Sequence, residues 1–247
     1  MRVAVAGGTG VVGGPVVEHL RLAGHETVVL ARATGVDLRS GDGLAERLQG
    51  VDAVVDVTSV ATTAKRAAVD FFTTTTGHLL RAGAEAGVGH HVLLSIVGID
   101  DTPFGYYVGK VAQERLVEAG TVPWSIVRAP QFHEFAEQMI ERASVGPVTV
   151  VPRMRSATMA ADEVAAVLAG IAAGAPQGRV RDLRGPEVAE MGDLVRKVIA
   201  HRGERRRVLD ARMPGRAGRR MAGGALVAED PATVGTLRFD DWLETRP

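Results

Sequence analysis

The chain has 247 residues, 46% apolar but only 4% aromatic, with 29 basic and 29 acidic side chains and no cysteine. That length suits one α/β domain with a modest appendage and an aliphatic core, and zero net charge gives no electrostatic reason to expect nucleic-acid binding. The lack of cysteine excludes disulfides, a thiol nucleophile and thiolate metal ligands. No apolar run reaches membrane-spanning length, and a first strand at Val3 leaves no room for a secretory leader, so a cytoplasmic protein is expected.

Val3–Ala6 reads as a short apolar strand, followed by Gly7, Gly10 and Gly13 at intervals of three and by an apolar segment from Val11 to Leu22 that closes at Gly24. Strand, glycine turn and helix in this order form a receptacle for a dinucleotide pyrophosphate. Gly7 allows the sharp turn, Gly10 lets the backbone approach the phosphates, and Gly13 lets helix and strand pack closely. The amides and positive end of the helix then face the anion.

Thr27–Leu30 is a second strand, Gly35–Leu38 a short third, Leu44–Gln49 a brief helix and Ala53–Val57 a fourth strand. A helix is expected over Lys65–Ala86, with Phe71, Phe72, Leu79 and Leu80 available for its buried face. Val92–Ile96 is the fifth strand, Tyr107–Ala119 a helix and Trp124–Val127 the sixth strand. Near-continuous Val, Ile and Leu runs mark strands covered on both faces. Their alternation with helices predicts an α/β fold, a Rossmann-type doubly wound parallel sheet.

Beyond Arg128 the pattern predicts a short helix at Glu134–Glu141, a strand at Val148–Val151 and a helix capped by Asp162 that runs to Ala173. A strand at Arg179–Leu183 and a helix at Val188–His201 follow. Arg202–Gly224 reads as irregular, and Asp230–Leu243 as a last helix whose Trp242 packs back on the body. The expected organisation is a nucleotide-binding core over residues 1–130 and a small C-terminal substrate lobe over residues 131–247, folded as one compact unit.

An acid at the end of the second strand would bind a ribose 2′-hydroxyl, whereas arginine accommodates a 2′-phosphate. Here the strand ends Leu30-Ala31-Arg32, so Arg32 favours NADP over NAD. Asp37 could meet the adenine amino group or serve as an acidic turn residue. Tyr106 and Lys110 are four apart and thus neighbours on one helix face. The ammonium would lower a phenol pKa of about 10 and make the hydroxyl a better donor to a developing alkoxide. Lys110 could also bond the nicotinamide ribose. The bland alternative is two tyrosines packed at a helix start with a lysine in water.

The histidines lack His-Glu-x-x-His spacing, so no metal site is expected. Ser95 stands outside any Gly-x-Ser-x-Gly elbow, and the glycine turn does not end in Gly-Lys-Ser/Thr. Hydrolase and ATPase readings are therefore set aside.

The chain resembles the short-chain dehydrogenase/reductase superfamily in its atypical, NmrA-like NAD(P)-binding branch. The resemblance rests on Gly-Gly-Thr-Gly-Val-Val-Gly (7–13), Leu-Leu-Ser-Ile-Val-Gly (93–98) and Tyr-Tyr-Val-Gly-Lys-Val-Ala-Gln-Glu (106–114). Val-Pro-Trp-Ser-Ile-Val-Arg-Ala-Pro-Gln-Phe (122–132) and Ala-Ala-Asp-Glu-Val-Ala (160–165) extend it, and it thins after Arg202. It implies that Gly7, Thr9, Gly10, Val11, Val12 and Gly13 hold the pyrophosphate, that Arg32 meets the 2′-phosphate, and that Thr58 and Ser59 line the adenosine and ribose side. Ser95 would stand beside the substrate carbonyl, Tyr106 would be the acid and Lys110 its partner. Pro130 and Phe132 would pass the nicotinamide, with Phe132, His133 and Phe135 shaping the substrate mouth.

Two departures mark this chain: Thr58-Ser59 replaces the Asn-Ala-Gly turn of many superfamily members, and the separation of Ser95 from Tyr106 is short and runs through Thr102-Pro103. The expected function is an NADPH-dependent oxidoreductase passing hydride to a small carbonyl, quinone or similar acceptor. The incomplete catalytic set leaves a non-catalytic NADP(H)-binding redox sensor as the alternative. An epimerase with retained NAD is disfavoured by Arg32. A small-molecule substrate is the expected partner, and the superfamily's habit of joining subunits through paired helices allows for a homodimer.

Overall fold

The structure is a computed structural model and describes residues 1–246. In chain order its elements are β1 (Arg2–Ala6), α1 (Gly13–Leu22), β2 (Glu26–Leu30), α2 (Leu44–Arg47), β3 (Ala53–Asp56), α3 (Lys65–Glu85), β4 (His90–Ile96), α4 (Gly105–Ala119) and β5 (Trp124–Ala129). There follow α5 (Glu134–Ala143), β6 (Ser144–Val145), β7 (Val148–Pro152), β8 (Arg155–Ser156), α6 (Ala161–Ala172), β9 (Gly178–Arg179) and β10 (Leu183–Arg184). The chain ends with β11 (Ala189–Glu190), α7 (Met191–His201), β12 (Arg207–Ala211), α8 (Gly215–Ala222), β13 (Thr233–Val234) and α9 (Phe239–Glu244).

Two compact units emerge. The first comprises Met1–Ser95, Phe104–Arg128 and Val164–Val180; the second comprises Ile96–Pro103, Ala129–Glu163 and Arg181–Pro247. Val164–Val180, which the sequence reading carried in the lobe, lies in the first unit, where β9 pairs in parallel with β5.

The first unit is built on a six-stranded sheet ordered β2-β1-β3-β4-β5-β9, the doubly wound parallel arrangement expected. Val3, Ala4, Val5 and Ala6 are wholly buried, as a central strand covered on both faces requires. From β1 the chain runs to β2 on one side and then crosses to β3 on the other. The ends of β1 and β3 therefore flank a topological switch point, where ligands of open α/β sheets bind. Gly7 has a φ of 83°, and a side chain there would come 2.9 Å from the Val57 carbonyl oxygen. Glycine is what lets the chain leaving β1 pass over the end of β3.

An aliphatic cluster including Leu30, Leu44, Leu48, Leu79, Leu93 and Ile126 fills the core, in keeping with a chain so poor in aromatics. The sixth strand is β9, not Gly35–Leu38. The chain after β2 instead makes a 3₁₀ turn at Arg32–Thr34, and Gly35 follows it at a φ of 80°. Only Val36 of that stretch is buried, in the core cluster.

In the second unit, β12, β7 and β6 form a three-stranded sheet. Arg202–Gly224 is ordered into β12 and α8, contrary to the irregular reading. No residue of β12 is buried, and Arg-Val-Leu-Asp-Ala does not alternate apolar with polar; its ladder comes from parallel pairing with β7. The expected Arg179–Leu183 strand divides into β9 and β10.

The last helix begins only at Phe239. The Gly235 N–H donates to the Arg184 carbonyl, and the Thr236 and Leu237 amides donate to the Glu163 carboxylate, which holds this stretch out of a helix. Asp162 falls in the first turn of α6 and does not cap it; the Glu134 carboxylate accepts the Ala161 N–H at 3.1 Å. Trp242 is buried, stacked on Phe239 and His133.

Candidate functional site

The turn from β1 into α1 is tightly wound and outward-facing. Gly10 N–H donates to Gly7 O at 2.9 Å and Gly14 N–H to Gly10 O at 3.1 Å. A side chain at Gly13 would lie 2.0 Å from Gly7 O, so α1 starts hard against the turn. Thr9, Gly10 and Val11 are exposed, while Val12 is buried beneath them. A side chain at Gly10 would meet only Gly7 O, at 3.3 Å. An open backbone at a switch point, leading into a helix N-terminus, fits a diphosphate.

At the end of β2, Thr34 closes the chain on itself. Its hydroxyl accepts the Ala31 N–H and lies 2.8 Å from the Val29 carbonyl. Arg32 is thereby left exposed, and among the described residues its guanidinium has no hydrogen-bond or ion-pair partner. Asp37 accepts the Arg39 N–H at 2.8 Å, the acidic turn role.

The chemistry around α4 differs from the expected helix-face pairing. The half-buried Tyr106 hydroxyl lies 2.9 Å from the Ser59 hydroxyl, in the turn after β3, and its ring packs edge-on against Phe72. Lys110 does not reach the phenol. It is 3% exposed and donates to the Leu94 carbonyl at 2.7 Å and to the Gln113 side-chain oxygen. Burial raises the Tyr106 phenol above its ordinary value, the Ser59 hydrogen bond opposing it, so the expected lowering by Lys110 is not found. Burial also brings the Lys110 ammonium down to about 8, against the pull of Asp56 and Glu114.

Ser95 and Tyr106 are not brought together either. Ser95 is 2% exposed, and its Oγ has no hydrogen-bond partner among the described residues. Burial alone would raise the Glu114 carboxyl. Paired hydrogen bonds from Arg128, at 2.9 and 2.6 Å, with one from Arg179, more than offset it and hold the group below its usual range.

Sequence reasoning missed the group that organises this region. Asp56, at the end of β3, is wholly buried. Its Oδ1 accepts the Thr58 N–H at 3.0 Å and the Thr58 hydroxyl at 2.6 Å. Its Oδ2 accepts the Thr76 hydroxyl at 2.7 Å and the Gln113 amide at 3.0 Å. His91, held neutral by burial, stands 4.0 Å from the same oxygen. Thr58 is thus turned inward, and the exposed residue of the turn is Ser59. An acid closing the apolar run Ala-Val-Val was the available signal.

Pro130, Phe132, His133 and Phe135 lie in the second unit, Pro130 buried and the two phenylalanines half-buried. His133 is 1% exposed, with Nδ1 2.9 Å from the Thr158 hydroxyl and Nε2 3.2 Å from the Leu237 carbonyl. Both nitrogens are engaged, so it borders a cavity of about 230 Å³, shared with Thr158, Leu194, Lys197 and Phe239, without a free nitrogen to offer. Among the described residues no helix is long and apolar enough to cross a membrane, and no group of three His, Cys, Asp or Glu could hold a metal ion.

A doubly wound sheet with an open glycine turn at its switch point defines a Rossmann-type dinucleotide-binding protein. A family model described as NAD(P)H-binding matches residues 7–174, and the chain belongs to that family. Among solved structures, it is similar to the NADPH-dependent quinone oxidoreductase QOR2 from Escherichia coli complexed with NADPH (TM-score 0.74, 16% identity, 98% of each chain covered). It is also similar to MoeE5 in complex with UDP-glucuronic acid and NAD (TM-score 0.74, 18% identity, 100% of this chain and 97% of that one). A third likeness is to Citrobacter sp. triphenylmethane reductase complexed with NADP(H) (TM-score 0.69, 14% identity, 92% and 91% covered). At these identities the likenesses show the fold. No curated protein matches the chain.

Proposed function

We propose that this protein is an NADPH-dependent oxidoreductase that delivers hydride to a small carbonyl, quinone or similar acceptor. The observation that carries the cofactor choice is Arg32, at the end of β2, where an acid would be needed for a ribose 2′-hydroxyl; it is exposed and its guanidinium is unpartnered among the described residues. Gly7–Gly13 would hold the diphosphate and Arg32 the additional phosphate. The nicotinamide, when bound, supplies the hydride. The chain's part is to position it and to hold a proton at the Tyr106 oxygen, where burial keeps the phenol protonated and able to donate to the product oxygen. Relatives of this fold that act on quinones and dyes support the reading by analogy.

A second reading, a non-catalytic NADP(H)-binding sensor, is favoured by the absence of a hydrogen bond from Ser95 or Lys110 to Tyr106. Following NADPH absorbance with a panel of quinones and aldehydes separates the two. Acceptor-dependent oxidation is expected. Tight binding without turnover on any acceptor puts the sensor first, and no NADPH binding overturns both.

A further inference from the structure

We infer that Ser59 orients the Tyr106 hydroxyl and connects it to solvent, and that Asp56, through Thr58, holds Ser59 in that place. The inference rests on Tyr106 being the proton donor proposed above. Ser59 is exposed and its oxygen is 2.9 Å from the half-buried phenol oxygen, whereas the Lys110 ammonium donates to the Leu94 carbonyl and the Gln113 side chain instead.

The turn that carries Ser59 is anchored with unusual completeness. Four donors converge on the two Asp56 oxygens, two of them from Thr58, the residue next to Ser59. Bonds to a buried carboxylate are shorter and stronger than neutral ones, so the turn has little freedom. Gln113 closes the circuit. Its amide donates to Asp56 and to the Thr76 hydroxyl at 2.8 Å, and its oxygen accepts Lys110. Tyr106 and Gln113 lie two helical turns apart on α4. One helix therefore grips the turn at both ends, through the phenol on Ser59 and through the amide on Asp56. Asp56 and Ser59 are positioning residues; Tyr106 is the group that meets the product.

In the proton step, the Tyr106 O–H bond breaks as its proton passes to the product oxygen. The Ser59 hydroxyl proton moves to the phenol oxygen, and water restores Ser59. With the hydride, the acceptor gains two electrons and one further proton.

The chain has two tyrosines, so Tyr107→Phe protein grown with 3-fluorotyrosine carries a single fluorine resonance, at position 106. Measured on the full chain without cofactor, that resonance is expected to shift with Ser59→Ala. It is expected to shift in the same direction with Asp56→Asn, and by less with the near-isosteric Thr58→Val. A resonance indifferent to Ser59→Ala overturns the inference. One that moves with Ser59→Ala but with neither Asp56→Asn nor Thr58→Val overturns the part assigned to Asp56. With NADPH and a quinone, Ser59→Ala is expected to lower kcat about five- to tenfold, the worth of one hydrogen bond, with KM for the quinone held and Ser59→Thr restoring the rate. Should the wild-type chain reduce no acceptor, the oxidoreductase reading fails on its own, while the resonance still decides the Asp56–Ser59–Tyr106 linkage.

Discussion

The Tyr106 hydroxyl and the Ser59 hydroxyl stand 2.9 Å apart, and the phenol's hydrogen bond is to Ser59, not to Lys110. Removing the phenol oxygen should therefore affect proton delivery and leave the pyrophosphate turn untouched. Tyr106→Phe is expected to lower kcat for quinone or aldehyde reduction by about 100-fold, the lower range for loss of a general acid. NADPH affinity, measured by fluorescence titration, should hold. Unchanged turnover would remove Tyr106 from the reaction.

Lys110 sits at a pKa of about 8, below its ordinary 10.5, because burial penalises the ammonium. Below pH 8 both folded and unfolded chains hold the proton and the penalty is complete. Between about pH 8 and pH 10.4 the unfolded chain still holds a proton that the native state has released, so this residue's contribution to stability rises with pH across that window. Urea unfolding of the wild type and Lys110→Met should show the difference between them changing in the wild type's favour from pH 8 to pH 10.4. A pH-independent difference would contradict this.

Glu114 is the opposite case: hydrogen bonds from Arg128 and Arg179 lower its carboxyl against burial. The resulting stability is present above the unfolded pKa of about 4.3 and is lost as pH falls through the folded value. Arg128→Met leaves a carboxylate that is 1% exposed without its paired hydrogen bonds, at a cost of about 3 kcal/mol near neutrality. In denaturant titrations the gap between variant and wild type should narrow on acidification below that range.

Gly13→Ala places a methyl group 2.0 Å from Gly7 O, backbone that cannot yield without reshaping the turn. A loss of about 1–3 kcal/mol in stability is expected, the usual range for overpacking, together with a fall in NADPH affinity greater than the stability change explains. Calorimetry and urea unfolding on the same preparation would measure both. Wild-type affinity in this variant would remove the turn from the cofactor site.

The sheet was legible because its signal is local. Val3–Ala6, Ala53–Val55 and Val92–Leu94 are short apolar runs, and burial on both faces leaves no other use for them. The stretch Gly35–Leu38 misled because Val36 is apolar for the core while its neighbours form a turn. β12 and the segment before α9 were illegible for another reason. Their structure is imposed by partners far along the chain, β7 for the one and Glu163 for the other.

The site followed the same division. The glycine turn directly follows β1 and Arg32 lies just past β2, positions that short local runs of sequence set. The direction of Lys110 did not follow from its four-residue spacing to Tyr106, because Gln113 of the same helix, Leu94 of β4 and the charge of Asp56 at the end of β3 compete for the ammonium.

Arg32 offers the most direct test. Isothermal titration calorimetry of the wild-type chain should show NADPH bound more tightly than NADH. Arg32→Ala should weaken NADPH about ten- to a hundredfold, the worth of charge-assisted bonds to one phosphate, and leave NADH unchanged. Equal affinity for the two cofactors in the wild type, or heat with neither, would contradict the assignment.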